Sequence, residues 1–126
     1  MTPRILIVDD SPEIRKVMEA ILDSCGYLVL IAEDGLEAWE VFGRDRPSMV
    51  VMDIEMPGLD GCEVCRRIKS QPETCDIPVL LVSGCGRVAE LAQSAGADAF
   101  LSKPFYLKDL VGQVGSLLSR SMAQVA

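Results

Sequence analysis

The 126 residues include 12 basic and 19 acidic side chains for a net charge of −7, with 49% hydrophobic and 25% charged residues. That balance fits one globular domain and excludes disordered and fibrous designs. No basic stripe tracks a phosphate backbone and no apolar stretch reaches the roughly 18 residues of a membrane span, so direct nucleic-acid binding and membrane insertion are not expected.

Met1–Arg4 leads without a signal-peptide layout into Ile5-Leu6-Ile7-Val8, an apolar run of the kind expected for a strand buried on both faces. A cytoplasmic location is expected. The run halts at Asp9-Asp10, after which Ser11 is a candidate N-cap with Pro12 in the first helical position. Ile14, Val17, Met18, Ile21, Leu22 and Cys25 then recur at helical spacing until Gly26.

Leu28–Ala32 reads as a second strand, and Gly35 to about Gly43 as a second helix. Met49-Val50-Val51-Met52 is a third apolar run and, like the first, it ends on a carboxylate, Asp53, followed by the turn-rich Met56-Pro57-Gly58-Leu59-Asp60-Gly61. A third helix is predicted over Cys62–Lys69, capped by Asp60 and blocked by Pro72. Val79–Val82 is the fourth strand, ending at Ser83-Gly84, and Val88–Ala95 the fourth helix, closed by Gly96. Ala99-Phe100-Leu101 is the fifth strand, ending at Ser102-Lys103-Pro104, before a last helix over about Leu107–Ser119. One domain over residues 1–121 and a short tail over 122–126 are expected.

Strands alternating with helices imply an α/β fold, a doubly wound parallel sheet of five strands with helices on both faces. Ligands in such folds bind beyond the carboxyl ends of the strands. Asp9, Asp10, Asp53, Ser83 and Lys103 all follow apolar strands and therefore converge on that edge.

Three carboxylates at one mouth repel one another unless a cation joins them, and an oxygen-only donor set selects a hard ion, Mg²⁺ above all. A carboxylate is also a competent nucleophile toward a phosphoryl group. Lys103 would add positive charge opposite the metal, and Ser83 a hydroxyl for the acquired group. Ser83 also reads as a plain strand-terminal hydroxyl, Phe100 as ordinary core, and Glu55 as a ligand, a tuner of phosphoryl lifetime or a surface acid. The chain has no histidine and five cysteines. Cys62-x-x-Cys65 reads as a pair of core thiols in preference to a redox couple, since it lacks the local setting of a thioredoxin-type site, and no second pair completes a zinc site.

Ile7-Val8-Asp9-Asp10-Ser11, Met52-Asp53-Ile54-Glu55-Met56-Pro57-Gly58-Leu59-Asp60-Gly61, Ser83-Gly84 and Ala95–Phe105 together resemble the receiver domain of two-component response regulators, particularly the single-domain, chemotaxis-type members, over nearly the whole chain. The resemblance implies a flavodoxin-like sheet in the order 2-1-3-4-5 and a cis bond between Lys103 and Pro104. By the same resemblance, Asp53 is the phosphoacceptor, while Asp10, Asp53 and the Glu55 backbone carbonyl ligate Mg²⁺ and Asp9 holds metal-bound water. Lys103 then pairs with the phosphoryl group, and Ser83 and Phe100 are the switch residues.

The implied function is a phosphoacceptor that assists its own phosphotransfer and autodephosphorylation without being an enzyme. Its implied partners are a sensor histidine kinase or histidine phosphotransfer protein, and a downstream protein met by the face of the fourth helix, fifth strand and fifth helix. The chain would be a monomer or weak homodimer. Two features depart from the family pattern: the Ser83–Gly96 segment is slightly short, and Phe100 stands where chemotaxis-type members commonly carry tyrosine. A receiver that binds partners without phosphorylation and an aspartyl-nucleophile phosphatase of the haloacid-dehalogenase type are the competing readings. The phosphatase motif places its second aspartate two residues after the first on the opening strand, unlike Asp53-Ile54-Glu55. A dinucleotide-binding fold would need a glycine-rich turn where Asp9-Asp10-Ser11-Pro12 stands.

Overall fold

Each apolar run forms a strand and each helical repeat a helix in the computed structural model, which describes residues 2–125. In chain order the elements are β1 (Arg4–Val8), α1 (Pro12–Ser24), β2 (Leu28–Ala32), α2 (Gly35–Asp45), β3 (Met49–Asp53), α3 (Gly61–Lys69), β4 (Val79–Ser83), α4 (Val88–Ala95), β5 (Ala99–Ser102) and α5 (Leu107–Val125). All pairings are parallel, and the sheet order is β2-β1-β3-β4-β5.

Because successive strand residues point to opposite faces, the three central strands feed two separate cores. Leu6, Val8, Val50, Met52, Val79 and Leu81 pack against α2, α3 and α4 through Phe42, Ile68 and Ala92, among others. Ile5, Ile7, Met49, Val51, Leu80 and Val82 pack against α1 and α5 through Met18, Leu22, Leu110 and Val114. Each fully buried aliphatic side chain contributes about 1.5–3 kcal/mol relative to exposure, which makes the strand ends a rigid platform. The register Ile5↔Met49 and Val50↔Val79 brings the ends of β1, β3 and β4 to one edge.

The helix ends follow local chemistry. The Ser11 hydroxyl accepts from the Ile14 amide and the Asp60 carboxylate from the Glu63 amide, as expected. Asp34 caps α2 by accepting from the Glu37 amide, a cap the sequence reading did not pick out. Helix α2 passes through Gly43 and ends two residues later, with Arg46 at φ 46° in the left-handed region. Nothing crowds Gly43, and one glycine's cost of roughly 1 kcal/mol does not end a helix otherwise held by Val41 and Phe42.

Helix α5 runs on to Val125 instead of ending near Ser119. The segment expected as a tail over 122–126 therefore continues the helix as far as Val125, because no proline or glycine follows Gly115 to stop it; Ala126 lies outside the described residues. Among the described residues, no helix is long and apolar enough to cross a membrane.

Candidate functional site

Asp9 is the residue after β1, and its amide donates to the Ala32 carbonyl of β2 at 3.3 Å. Its side chain is fully buried and both carboxylate oxygens are engaged: Oδ1 accepts from the Ser11 amide at 2.9 Å and Oδ2 from Lys103 Nζ at 3.0 Å. The Arg15 guanidinium donates to the Asp9 carbonyl at 2.8 Å and so ties α1 to this corner.

Asp53 closes β3 and is 5% exposed, and the next amide, of Ile54, donates to the Val82 carbonyl of β4 at 2.9 Å. Lys103 Nζ lies 3.4 Å from Asp53 Oδ2, a looser pairing than the one it makes with Asp9. Asp10 is exposed, yet its carboxylate joins the other two: Asp9, Asp10 and Asp53 each offer an oxygen lying within 4.8 Å of the others.

The turn after β3 is set by Gly61, whose amide donates to the Ile54 carbonyl at 3.0 Å. A side chain at position 61 would run into the Asp53 carbonyl, so only glycine lets α3 begin this close to the site. Lys103 is placed from the other side, its amide donating to the Ser83 carbonyl at 2.8 Å, and the Lys103–Pro104 bond is cis, as the resemblance implies. Ser83, fully buried at the end of β4, accepts from the Cys85 amide at 2.9 Å, while its hydroxyl donates to the Glu55 carboxylate.

Burial is the main cause that pushes the Asp53 carboxyl up to about 6; Lys103 opposes it, while Asp9 and Glu55 add to it through their negative charge. Burial pulls Lys103 down, but the hydrogen bond to Asp9 and the charge of Asp53 outweigh it, and its pKa rises. The ammonium therefore stays charged. One cation among this many acids leaves the cluster with excess negative charge, which adds to burial in raising the Asp53 carboxyl.

That excess, together with oxygen-only donors, fits a hard divalent cation better than a zinc or copper site, which would call on histidine or thiolate. Cys62 and Cys65 offer no competing centre. Both are free and buried, their thiols directed at the Leu91 and Ala95 carbonyls of α4, and burial pushes Cys65 up to about 12.

Asp9, Asp10, Asp53, Lys103, Ser83 and Glu55 are thus brought together as the sequence predicts. Phe100 is not among them: it sits 42% exposed on the edge strand β5, beside a hollow of about 610 Å³ lined also by Ala89, Gln93 and Gln113. The sequence reading missed Arg15, whose only signal is its position one helical turn after the Ser11 cap. It also missed the specific partner of the Glu55 side chain.

A family model described as the response regulator receiver domain matches residues 5–115. The response regulator MprA of Mycobacterium ulcerans is 42% identical over 123 residues, covering 96% of this chain and 52% of its own. The chain thus spans about half the length of the curated relatives it matches. A response regulator receiver domain protein from Methanospirillum hungatei superposes with a TM-score of 0.91 at 26% identity, over 98% of this chain and 99% of its own. The receiver domain of a sensor histidine kinase from Pseudomonas aeruginosa, solved with a magnesium ion coordinated in its active-site cleft, matches with a TM-score of 0.85 at 30% identity, over 94% of this chain and 99% of its own.

Proposed function

Because the chain belongs to the response regulator receiver domain family of two-component signalling, we propose that Asp53 accepts a phosphoryl group from a partner's phosphohistidine and that the modified chain changes which protein it binds. The observation that carries this reading is the unequal engagement of the two buried aspartates. Asp9 has both oxygens committed at 3.0 Å or less, whereas the Asp53 ion pair with Lys103 is looser, at 3.4 Å. The freer oxygen is the nucleophile. An Asp53 oxygen bonds to phosphorus as the phosphorus–nitrogen bond to the donor imidazole breaks, and the imidazole leaves with the electron pair.

Asp10, Asp53 and the Glu55 carbonyl would hold Mg²⁺, with Asp9 holding metal-bound water. The ion supplies charge stabilisation for the transferred oxygens. The chain's own residues do the rest. Burial limits water around Asp53, Lys103 is poised to pair with the new phosphoryl oxygens, and Ser83, at the end of the neighbouring strand β4, would supply a hydroxyl to them.

The chain acts as a phosphoacceptor, not a turnover enzyme, and assists its own autodephosphorylation. A sensor kinase or histidine phosphotransfer protein is the donor, and a downstream protein meets the face of α4, β5 and α5, where exposed Phe100 can turn inward on activation. The chain works in the cytoplasm as a monomer or weak homodimer. Transfer from a phosphorylated histidine-containing donor tests the reading: the wild-type chain should take up label in the presence of Mg²⁺ and the Asp53→Asn variant none, and equal uptake by both would reject it.

A further inference from the structure

The hydroxyl of Ser83 has a single proton and two lone pairs. In this structure the proton is committed to the Glu55 carboxylate, and one lone pair accepts from the Cys85 amide at 2.9 Å. A phosphoryl group on Asp53 presents only acceptor oxygens at neutral pH. Ser83 therefore cannot donate to it while still donating to Glu55. Glu55 is exposed, with its backbone in the turn after β3, yet its side chain reaches back to a fully buried hydroxyl 28 residues away in sequence.

We propose that Glu55 is a positioning residue that latches Ser83 in its resting orientation, so that phosphorylation must break the Ser83–Glu55 hydrogen bond before the hydroxyl can engage the phosphoryl group. The latch rests on the reading of Asp53 as acceptor and adds a regulatory element to it. Its reach extends to α4. The Cys85 amide is fixed by the same Ser83 oxygen, and the Cys85 carbonyl accepts from Val88, the first residue of the helix, at 3.2 Å. Arg87, the N-cap of α4, makes no side-chain capping hydrogen bond. Movement of Ser83 away from Glu55 toward the phosphoryl group thus displaces the acceptor of the Cys85 amide, and with it the loop that leads into α4.

The latch predicts a coupling that simple charge does not. Removing Glu55 takes a negative charge away from Asp53 and would favour any anion there, so the informative pair is Glu55→Ala against Glu55→Gln. Both lose the charge, but glutamine keeps a side-chain oxygen able to accept from Ser83. The probe is beryllofluoride with Mg²⁺, a phosphoryl mimic that binds the acceptor carboxylate without kinase or turnover.

Beryllofluoride should bind E55A several-fold tighter than E55Q, the scale of one hydrogen bond, and both variants should bind it tighter than wild type because both lose the charge beside Asp53. In an S83A background the two Glu55 variants should become equal, since the bond they differ in no longer exists. Equal affinities of E55A and E55Q with Ser83 present, or a difference that survives S83A, would overturn the latch while leaving the acceptor reading intact. A wild-type chain that binds no beryllofluoride would overturn the acceptor reading and the latch with it.

Discussion

Lys103 Nζ stands 3.4 Å from Asp53 Oδ2 and 3.0 Å from Asp9 Oδ2, so a single ammonium on the turn after β5 is shared between two buried carboxylates, on β3 and after β1. Removing it leaves Asp9, fully buried, without its ion pair. Breaking a buried pair from one side is strongly destabilising, so Lys103→Ala should cost about 3 kcal/mol in urea unfolding of the metal-free protein, with Mg²⁺ recovering part of the loss. The variant should still bind Mg²⁺ but show no phosphorylation-driven gain in partner affinity; an unchanged gain would count against its role.

The Asp53 carboxyl, held up to about 6 chiefly by burial, sits above the ordinary value of 3.8. A group that holds its proton more tightly folded than unfolded favours the folded state below the ordinary value, and that contribution is lost as pH rises through about 6. Asp53→Asn should therefore raise the stability of the metal-free protein at neutral pH by on the order of 1–2 kcal/mol and flatten its pH dependence between about pH 4 and 6. Mg²⁺ competes with the same proton, so its affinity should fall below about pH 6 in the wild type. Thermal unfolding and metal titration across pH check both.

Two glycines should respond in opposite directions. Gly61→Ala pushes a methyl group into the Asp53 carbonyl and should destabilise the fold by roughly 2 kcal/mol while weakening Mg²⁺ binding. Gly112 lies within α5 with open space around it, so Gly112→Ala should stabilise by about 0.5–1 kcal/mol and leave metal affinity unchanged. Chemical denaturation and metal titration distinguish the two.

Thiol chemistry offers a reading of the α3–α4 contact. Cys25 is exposed and should react quickly with a maleimide, whereas Cys62 and Cys65, buried and with their thiols pushed upward by burial, should react only on unfolding. Mass mapping after brief labelling checks this. Rapid modification of Cys65 in the folded chain would contradict the packing of α4 described above.

The strand runs and the acidic cluster were legible because each apolar run ends abruptly on a polar residue, and a parallel sheet brings such ends to one edge whatever the details of packing. Asp9, Asp10, Asp53, Ser83 and Lys103 were readable for that reason. The Ser83–Glu55 bond was not, since it depends on how a turn after β3 orients one side chain toward the end of β4. Helix ends were hardest to place. Gly43 reads locally as a stop, but packing of Val41 and Phe42 carries α2 past it, and the mixed polar and apolar residues after Ser119, with no proline or glycine among them, give no signal to tell a tail from a continued helix.

The most direct test of the account is to expose the chain to an acyl phosphate with Mg²⁺, trap the product by borohydride reduction, and locate the modified residue by peptide mass mapping. Reduction at Asp53 alone, absent when Mg²⁺ is withheld, is the predicted result. Modification at Asp9 or Asp10, or undiminished labelling of Asp53→Asn, would contradict it.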